Sequence, residues 1–200
     1  MIPATSAAEL SYLWPINWLG LHRQYLNPGE MEVIAALLRQ VAAQSMLEIG
    51  CRDGRTARVL LSNVTSLKRY VGVDVPMTYE PGLAMQRAEM VPDPGALVVD
   101  DPRFKLIVRT HGSLDLRVGD MEQVDACFID GDHSEEVVYR DSFRALTLVR
   151  NGGVIIWHDY TSNYLDDVTK TLNRLKKEGW PIQHVAGTWL AYRMVEPDDA

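Results

Sequence analysis

Met46-Leu47-Glu48-Ile49-Gly50-Cys51-Arg52-Asp53-Gly54-Arg55-Thr56 is the stretch from which the fold is read. An apolar run carries one acid, Glu48, passes two glycines, and continues into Ala57-Arg58-Val59-Leu60-Leu61, which has helical character. The reading is strand, tight turn, helix N-terminus. Gly50 and Gly54 have no Cβ, so the turn can adopt backbone angles closed to other residues and a ligand can come close to the main chain. The first amides of the following helix have no partners within it and favour an anionic or strongly polar group. A nucleotide-like cofactor is the expected occupant, although ordinary strand-to-helix turns also use glycine.

Further along, Arg69-Tyr70-Val71-Gly72-Val73-Asp74-Val75 is a second apolar run ending on an acid. In a doubly wound sheet such an acid lies beside the carboxyl end of the first strand and can accept both hydroxyls of a ribose. The alternative is a solvated turn before Pro76.

On these residues the chain resembles the class I S-adenosylmethionine-dependent methyltransferases. Glu48-x-Gly50-x-x-x-Gly54-x-Thr56 is similar to their first motif, in the form carried by the catechol-type and macrolide or cephamycin-type O-methyltransferases, and Asp74 resembles their ribose acid. The resemblance implies a Rossmann-like α/β fold: a doubly wound, seven-stranded, mostly parallel sheet with an antiparallel terminal strand and helices on both faces. It implies that Glu48, Gly50, Arg52, Gly54, Thr56, Asp74, Ser113 and Asp130 bind S-adenosylmethionine. Within that set the Thr56 hydroxyl faces the methionine carboxylate and Ser113 the adenine. Arg52 stands where many members have a glycine, which also counts against a dinucleotide G-x-G-x-x-G loop.

Composition agrees with one α/β domain. Two hundred residues, 46% of them apolar, suffice for a full core and leave little for a second domain. A net charge of −7 with no long basic run argues against nucleic acid as partner. Cys51 and Cys127 are read as small packing residues rather than a disulfide. No stretch is long enough to span a membrane and the N-terminus lacks the pattern of a secretory leader, so no membrane partner and a cytoplasmic enzyme are the expectation.

The chain divides into an aromatic segment 1–28, a domain 29–195 and an acidic tail 196–200. The first segment holds Tyr12, Leu13, Trp14, Ile16, Trp18, Leu19 and Tyr25, broken by prolines and glycine; that surface needs cover. It is read as a strap, a homodimer contact or a lid over the acceptor. Met31, Ile34, Leu37, Leu38 and Val41 then predict a helix, and a short helix is expected within 81–90. Residues 96–99 are read as a short strand or a buried turn, Phe104 to Arg109 as the third strand, and Val124 to Ile129 as the fourth. Ser134 caps a helix with Val137, Val138, Phe143, Leu146 and Leu148 on its buried stripe, ended by Asn151-Gly152-Gly153. Val154 to Trp157 is the fifth strand, 165–178 a helix, and 182–185 with 189–194 a closing antiparallel pair.

Two consecutive strands thus deliver Asp130-Gly131-Asp132-His133 and His158-Asp159 to one rim. Carboxylate and imidazole together suit a divalent metal. The resemblance implies Asp130, His158 and Asp159 as its ligands, Mg²⁺ or another divalent ion as the metal, and His133 or His158 as general base. The plainer reading has Asp130 anchoring the turn, Asp132 and Ser134 capping the helix, and His158 pairing with Asp159. The leading function is methyl transfer to a hydroxyl of a small phenolic, sugar or natural-product acceptor. Metal-independent transfer through a histidine base, a nicotinamide-dependent oxidoreductase and a noncatalytic cofactor-binding partner are the alternatives.

Overall fold

The computed structural model describes residues 15–117, 119 and 121–197. In chain order the elements are α1 (Glu30–Gln40), β1 (Ser45–Ile49), α2 (Arg55–Asn63), β2 (Arg69–Asp74), α3 (Ala84–Glu89), β3 (Phe104–Val108), a 3-10 turn (Gly112–Asp115), β4 (Val124–Ile129), α4 (Glu135–Leu148), β5 (Val149–Trp157), α5 (Asp166–Lys177), β6 (Gln183–His184) and β7 (Ala191–Met194). The seven strands form one sheet in the order β3-β2-β1-β4-β5-β7-β6. β1 through β5 run parallel, and β7 pairs antiparallel with both β5 and β6.

The strand order reverses direction between β1 and β4, so the carboxyl ends of these neighbours open a crevice where such sheets bind ligands. β1 is buried on both faces, so its residues are apolar apart from Ser45 and the buried Glu48. One core layer packs Ile34, Leu38, Leu60 and Phe128 on one side of the sheet; another packs Val73, Ile129, Ile155 and Leu172 on the other.

Two expectations give way. The fourth helix ends at Leu148, and Asn151-Gly152-Gly153 lies inside β5 rather than stopping the helix. The register shifts between Val124 and Ala126, and a Cβ on Gly153 would stand 2.5 Å from the Asp125 carbonyl, so this glycine marks an irregular, tightly packed stretch of strand. Phe143, expected on the buried stripe of α4, is 41% exposed; Asp141 and Ser142 occupy the inner face instead. They can do so because each is hydrogen bonded there. The Ser113 hydroxyl donates to Asp141 Oδ2 at 2.9 Å, and Trp157 Nε1 donates to Ser142 Oγ at 3.0 Å. Residues 96–99 are a turn, with Val98 buried. Cys51 and Cys127 are both free and buried, and no helix among the described residues is long and apolar enough to cross a membrane.

Tyr12, Leu13 and Trp14 lie outside the described residues, as do the last three of the acidic tail. The described part of the aromatic segment runs across the β1–α2 turn. Ile16, Trp18, Leu21 and Leu26 pack on the core, the Asn63 side-chain amide accepts from the Asn17 backbone N–H and donates to the Asn17 carbonyl, and Arg55 donates to the His22 carbonyl at 2.9 Å.

Candidate active site

Gly50 and Gly54 both have left-handed backbone angles, φ 86° and 82°. A Cβ on Gly50 would lie 2.1 Å from the Asp130 carbonyl, so the turn after β1 can abut the turn after β4 only with glycine there. On Gly54 it would lie 2.7 Å from Val98 Cγ1. Arg52, at the position where the motif often has glycine, also has positive φ, 47°. That geometry points its backbone N–H at Asp74 Oδ2, 2.5 Å away, while Val75 N–H reaches Oδ1 at 2.7 Å. Burial raises the Asp74 pKa against these two backbone bonds. The Arg52 guanidinium turns outward, donating to the Glu89 carbonyl and lying 4.7 Å from the Tyr25 ring.

A cavity of about 280 Å³ opens over the strand ends. Its lining joins Gly50, Asp74 and Ser113 on one side to Asp130, His133 and Asp159 on the other. Aromatic surface comes from Tyr25, Tyr79, Tyr164 and Trp189. Thr56 does not reach this cavity; it lines an adjoining one of about 40 Å³ beneath Trp18, Tyr25 and Leu26. Glu48 lines neither. Its carboxyl is buried under the turn, accepts from the Tyr70 hydroxyl at 3.0 Å, and is driven well above the usual range by burial. The Ser113 hydroxyl is taken by Asp141, so it is the turn carrying Ser113 rather than its side-chain donor that faces the space.

At the rim the two histidines differ. His158 is buried with both ring nitrogens engaged: Nε2 lies 3.0 Å from Glu30 Oε2, and Nδ1 lies 3.2 Å from Asp130 Oδ1 and 3.2 Å from Asp159 Oδ2. Burial alone would disfavour its cation, yet Asp130, Asp159 and Glu30 outweigh that and raise its pKa well above the ordinary value. His133 Nδ1 lies 2.7 Å from Gln86 Nε2, a contact whose donor depends on the protonation of the ring, and the same amide donates to the Gly131 carbonyl at 3.3 Å. Its Nε2 lies 3.0 Å from Asp159 and 3.8 Å from Asp130 but makes no aligned hydrogen bond, and Gln86 Oε1 is likewise buried without one. Burial pulls the His133 pKa down; Asp130 and Asp159 win and bring it to about 10. For Asp159, burial is overcome by His133 and His158, which hold it well below the carboxylate range. Asp159 also has positive φ, 60°, a sparsely populated angle of the kind that collects at functional sites.

Donor atoms of Asp130, His133 and Asp159 all lie within 4.8 Å of one another. Asp132 lines the same cavity but stands outside that group: it accepts from the Ser134 backbone and hydroxyl at the start of α4 and from the Tyr79 hydroxyl. Trp157 is fully buried and finishes β5 without reaching the cavity. Two contributors escaped the sequence reading. Glu30 is fully buried behind His158 although it reads as an ordinary first-turn acid, and Gln86 gave no signal beyond membership of a short helix.

Residues 47–160 match the family model described as a methyltransferase domain. No curated protein matches in sequence. Among solved structures, the O-methyltransferase TomG from Streptomyces achromogenes, in complex with SAM, aligns with TM-score 0.55 at 17% identity, over 95% of this chain and 87% of that one. An O-methyltransferase from Bacillus cereus, in complex with SAH, gives 0.51 at 20%, over 96% and 91%. The O-methyltransferase NovP gives 0.61 at 13%, over 83% and 79%. At these identities the likeness is one of fold.

Proposed function

Since the chain belongs to the methyltransferase-domain family, we propose that it moves the methyl group of S-adenosylmethionine onto a hydroxyl of a small molecule bound in the rim cavity. One observation carries this reading: a single cavity joins Asp74 and Gly50 to the Asp130, His133 and Asp159 rim, so donor and acceptor can meet without crossing solvent. The Rossmann-like fold and family support the donor, and neighbours described as O-methyltransferases support oxygen as the atom methylated.

The residues fit the donor. Gly50 presents its backbone to the cavity, Asp74 has carboxylate lone pairs left for ribose hydroxyls, and the Ser113 turn offers backbone to the adenine edge. Thr56 and the first amides of α2 suit the methionine carboxylate. Glu48 acts from below, as a buried support for the turn. The donor supplies a methyl group on a positively charged sulfur, so the protein's share of the chemistry is alignment and removal of the acceptor's proton.

His133 is the group we assign to that proton. Its Nε2 is nine-tenths buried, faces the rim and has no hydrogen-bond partner. Once the ring has given up one proton, a Gln86 amide turned so that its orphaned Oε1 accepts from Nδ1 would keep the remaining hydrogen there and leave Nε2 with a free lone pair. His158 does not suit the task, since Glu30 and the two aspartates occupy both its nitrogens.

Two carboxylates and an imidazole also fit a divalent cation, Mg²⁺ or a relative: donor atoms of Asp130, His133 and Asp159 converge within 4.8 Å, and His158 Nδ1 lies 3.2 Å from both carboxylates. Asp130, Asp159 and His158 Nδ1 would hold it, His158 being the imidazole with a carboxylate behind it, as metal-bound histidines usually have. A cation there offsets the two carboxylates that keep His133 protonated and makes the acceptor hydroxyl more acidic. The acceptor itself is a non-polymeric molecule whose ring can lie against Trp189 and Tyr164. Methyl transfer from isotopically labelled S-adenosylmethionine to a panel of phenols and sugars, before and after exhaustive chelation, tests the reading. Incorporation that falls on chelation and returns with Mg²⁺ is expected; donor binding with no transfer to any hydroxyl would overturn it.

A further inference from the structure

Glu30 is the first residue of α1 and is fully buried, yet its carboxylate meets four donors, two from Asn27 in the preceding turn and one each from two distant parts of the chain. Asn27 N–H reaches Oε2 at 2.6 Å and Asn27 Nδ2 reaches Oε1 at 3.1 Å. Trp189 N–H, 159 residues away in sequence, reaches Oε1 at 2.6 Å. His158 Nε2 lies 3.0 Å from Oε2. An ionised carboxylate only accepts hydrogen bonds, so His158 must carry its hydrogen on Nε2. The rest of the ring is held between aromatic neighbours, with Phe128 and Trp189 centroids each 6.2 Å away. Only its Nδ1 edge is left for the rim, and that edge meets Asp130 and Asp159 at 3.2 Å each.

We infer that Glu30 is a positioning residue for the active site: it holds the His158 Nε2 hydrogen and with it the ring orientation, so that Nδ1 is presented to Asp130 and Asp159, and with the same carboxylate it sets Trp189 of the cavity wall. The assignment rests on geometry. A plain structural acid at a helix start would be satisfied by the helix's own amides and the preceding turn; Glu30 meets the preceding turn through Asn27 but also puts Oε1 on the Trp189 N–H of the β6–β7 connection and Oε2 on an imidazole at the end of β5. The aromatic segment enters the same arrangement through Asn27. One buried group therefore holds the segment before α1, the rim and the acceptor wall in a common register. Glutamine cannot replace it, because its amide nitrogen donates where Asn27 N–H, His158 Nε2–H or Trp189 N–H needs an acceptor. Aspartate keeps the charge but ends one methylene short.

The test has two arms. In the first, ¹⁵N spectra of the full-length, metal-free protein follow the His158 ring N–H groups. The expected result is an Nε2–H that exchanges slowly with water in the wild type and becomes exposed to exchange in E30Q and E30D. An unprotonated or rapidly exchanging Nε2 in the wild type overturns the inference, and this measurement needs no variant to fold. So does wild-type protection in either variant. The second arm rests on the cation reading above and measures Mn²⁺ affinity by calorimetry. Partners behind a metal-bound histidine are typically worth about 10–100-fold in affinity, so E30Q and E30D should each bind Mn²⁺ weaker by roughly that factor, and unchanged affinity overturns the inference. If the wild type binds no Mn²⁺, the cation reading fails, while the exchange arm still decides the role of Glu30.

Discussion

Replacing Gly50 by alanine is a one-carbon change whose consequences can be worked from the contact it creates. The added Cβ would stand 2.1 Å from the Asp130 carbonyl oxygen and 2.5 Å from Gly131 Cα, both backbone atoms that no rotamer change can move. Restoring ordinary contact, near 3.4 Å, requires the β1–α2 turn and the β4 turn to part by more than 1 Å. Two costs add. Holding an L-residue at a left-handed angle costs about 1–2 kcal/mol, and forcing backbone apart in a packed region costs roughly 1–3 kcal/mol. Together these imply a loss of about 2–5 kcal/mol, in urea unfolding, for a turn that also carries the proposed donor site. Because the same displacement separates Asp74 from the rim, calorimetric affinity for S-adenosylhomocysteine should fall at least tenfold in the fraction that remains folded. A G50A protein within 0.5 kcal/mol of wild-type stability and with unchanged affinity would refute the close-approach argument and the assignment of this turn to the donor.

Other substitutions separate the roles of the cavity residues. D74A removes acceptors for the ribose, and hydrogen bonds to a charged group are worth about 1.5–3 kcal/mol, so S-adenosylhomocysteine should bind roughly 10–150-fold more weakly by calorimetry. H133N should lower kcat by about 10²–10⁴ in a labelled-methyl assay while donor affinity stays within twofold; equal loss of both would remove His133 as the base. Burial raises the Asp141 pKa to about 6, against the pull of Ser113 and Arg144. A raised acid favours folding below its unfolded pKa and loses that contribution as pH rises through the folded value. Urea unfolding between pH 4 and 7 should therefore show wild-type stability falling relative to D141N by up to about 3 kcal/mol, from 1.36 kcal/mol per pKa unit. A difference independent of pH would mean that Asp141 is not titrating there.

Much of the fold was legible because its signals are local. The short apolar run before Gly50, broken only by Glu48 and closed by a glycine turn, reads as a buried strand, and the acid ending the next run lands beside it once the sheet is parallel. The antiparallel pair at 182–185 and 189–194 was visible from a short turn around Gly187. Where the reading went astray, tertiary contacts decided. Asn151-Gly152-Gly153 reads as a helix stop, yet Gly153 is held inside β5 by the closeness of the Asp125 carbonyl. Phe143 fits an apolar stripe, but Asp141 and Ser142 took the inner face because Ser113 and Trp157 supply their hydrogen bonds. The rim was legible as a set of residue types, since Asp130, His133, His158 and Asp159 follow strand ends. What separates the two histidines was not: it depends on Glu30 and Gln86, which reach the rim from distant segments and differ in sequence from no ordinary helix residue.

A crystal structure with S-adenosylhomocysteine bound tests the central claim most directly. The expected density has the ribose hydroxyls on Asp74, the amino-acid end against the Gly50–Thr56 turn, and the sulfur facing the edge formed by Asp130 and His133. A nucleoside lodged elsewhere, or a sulfur turned away from His133, would contradict it.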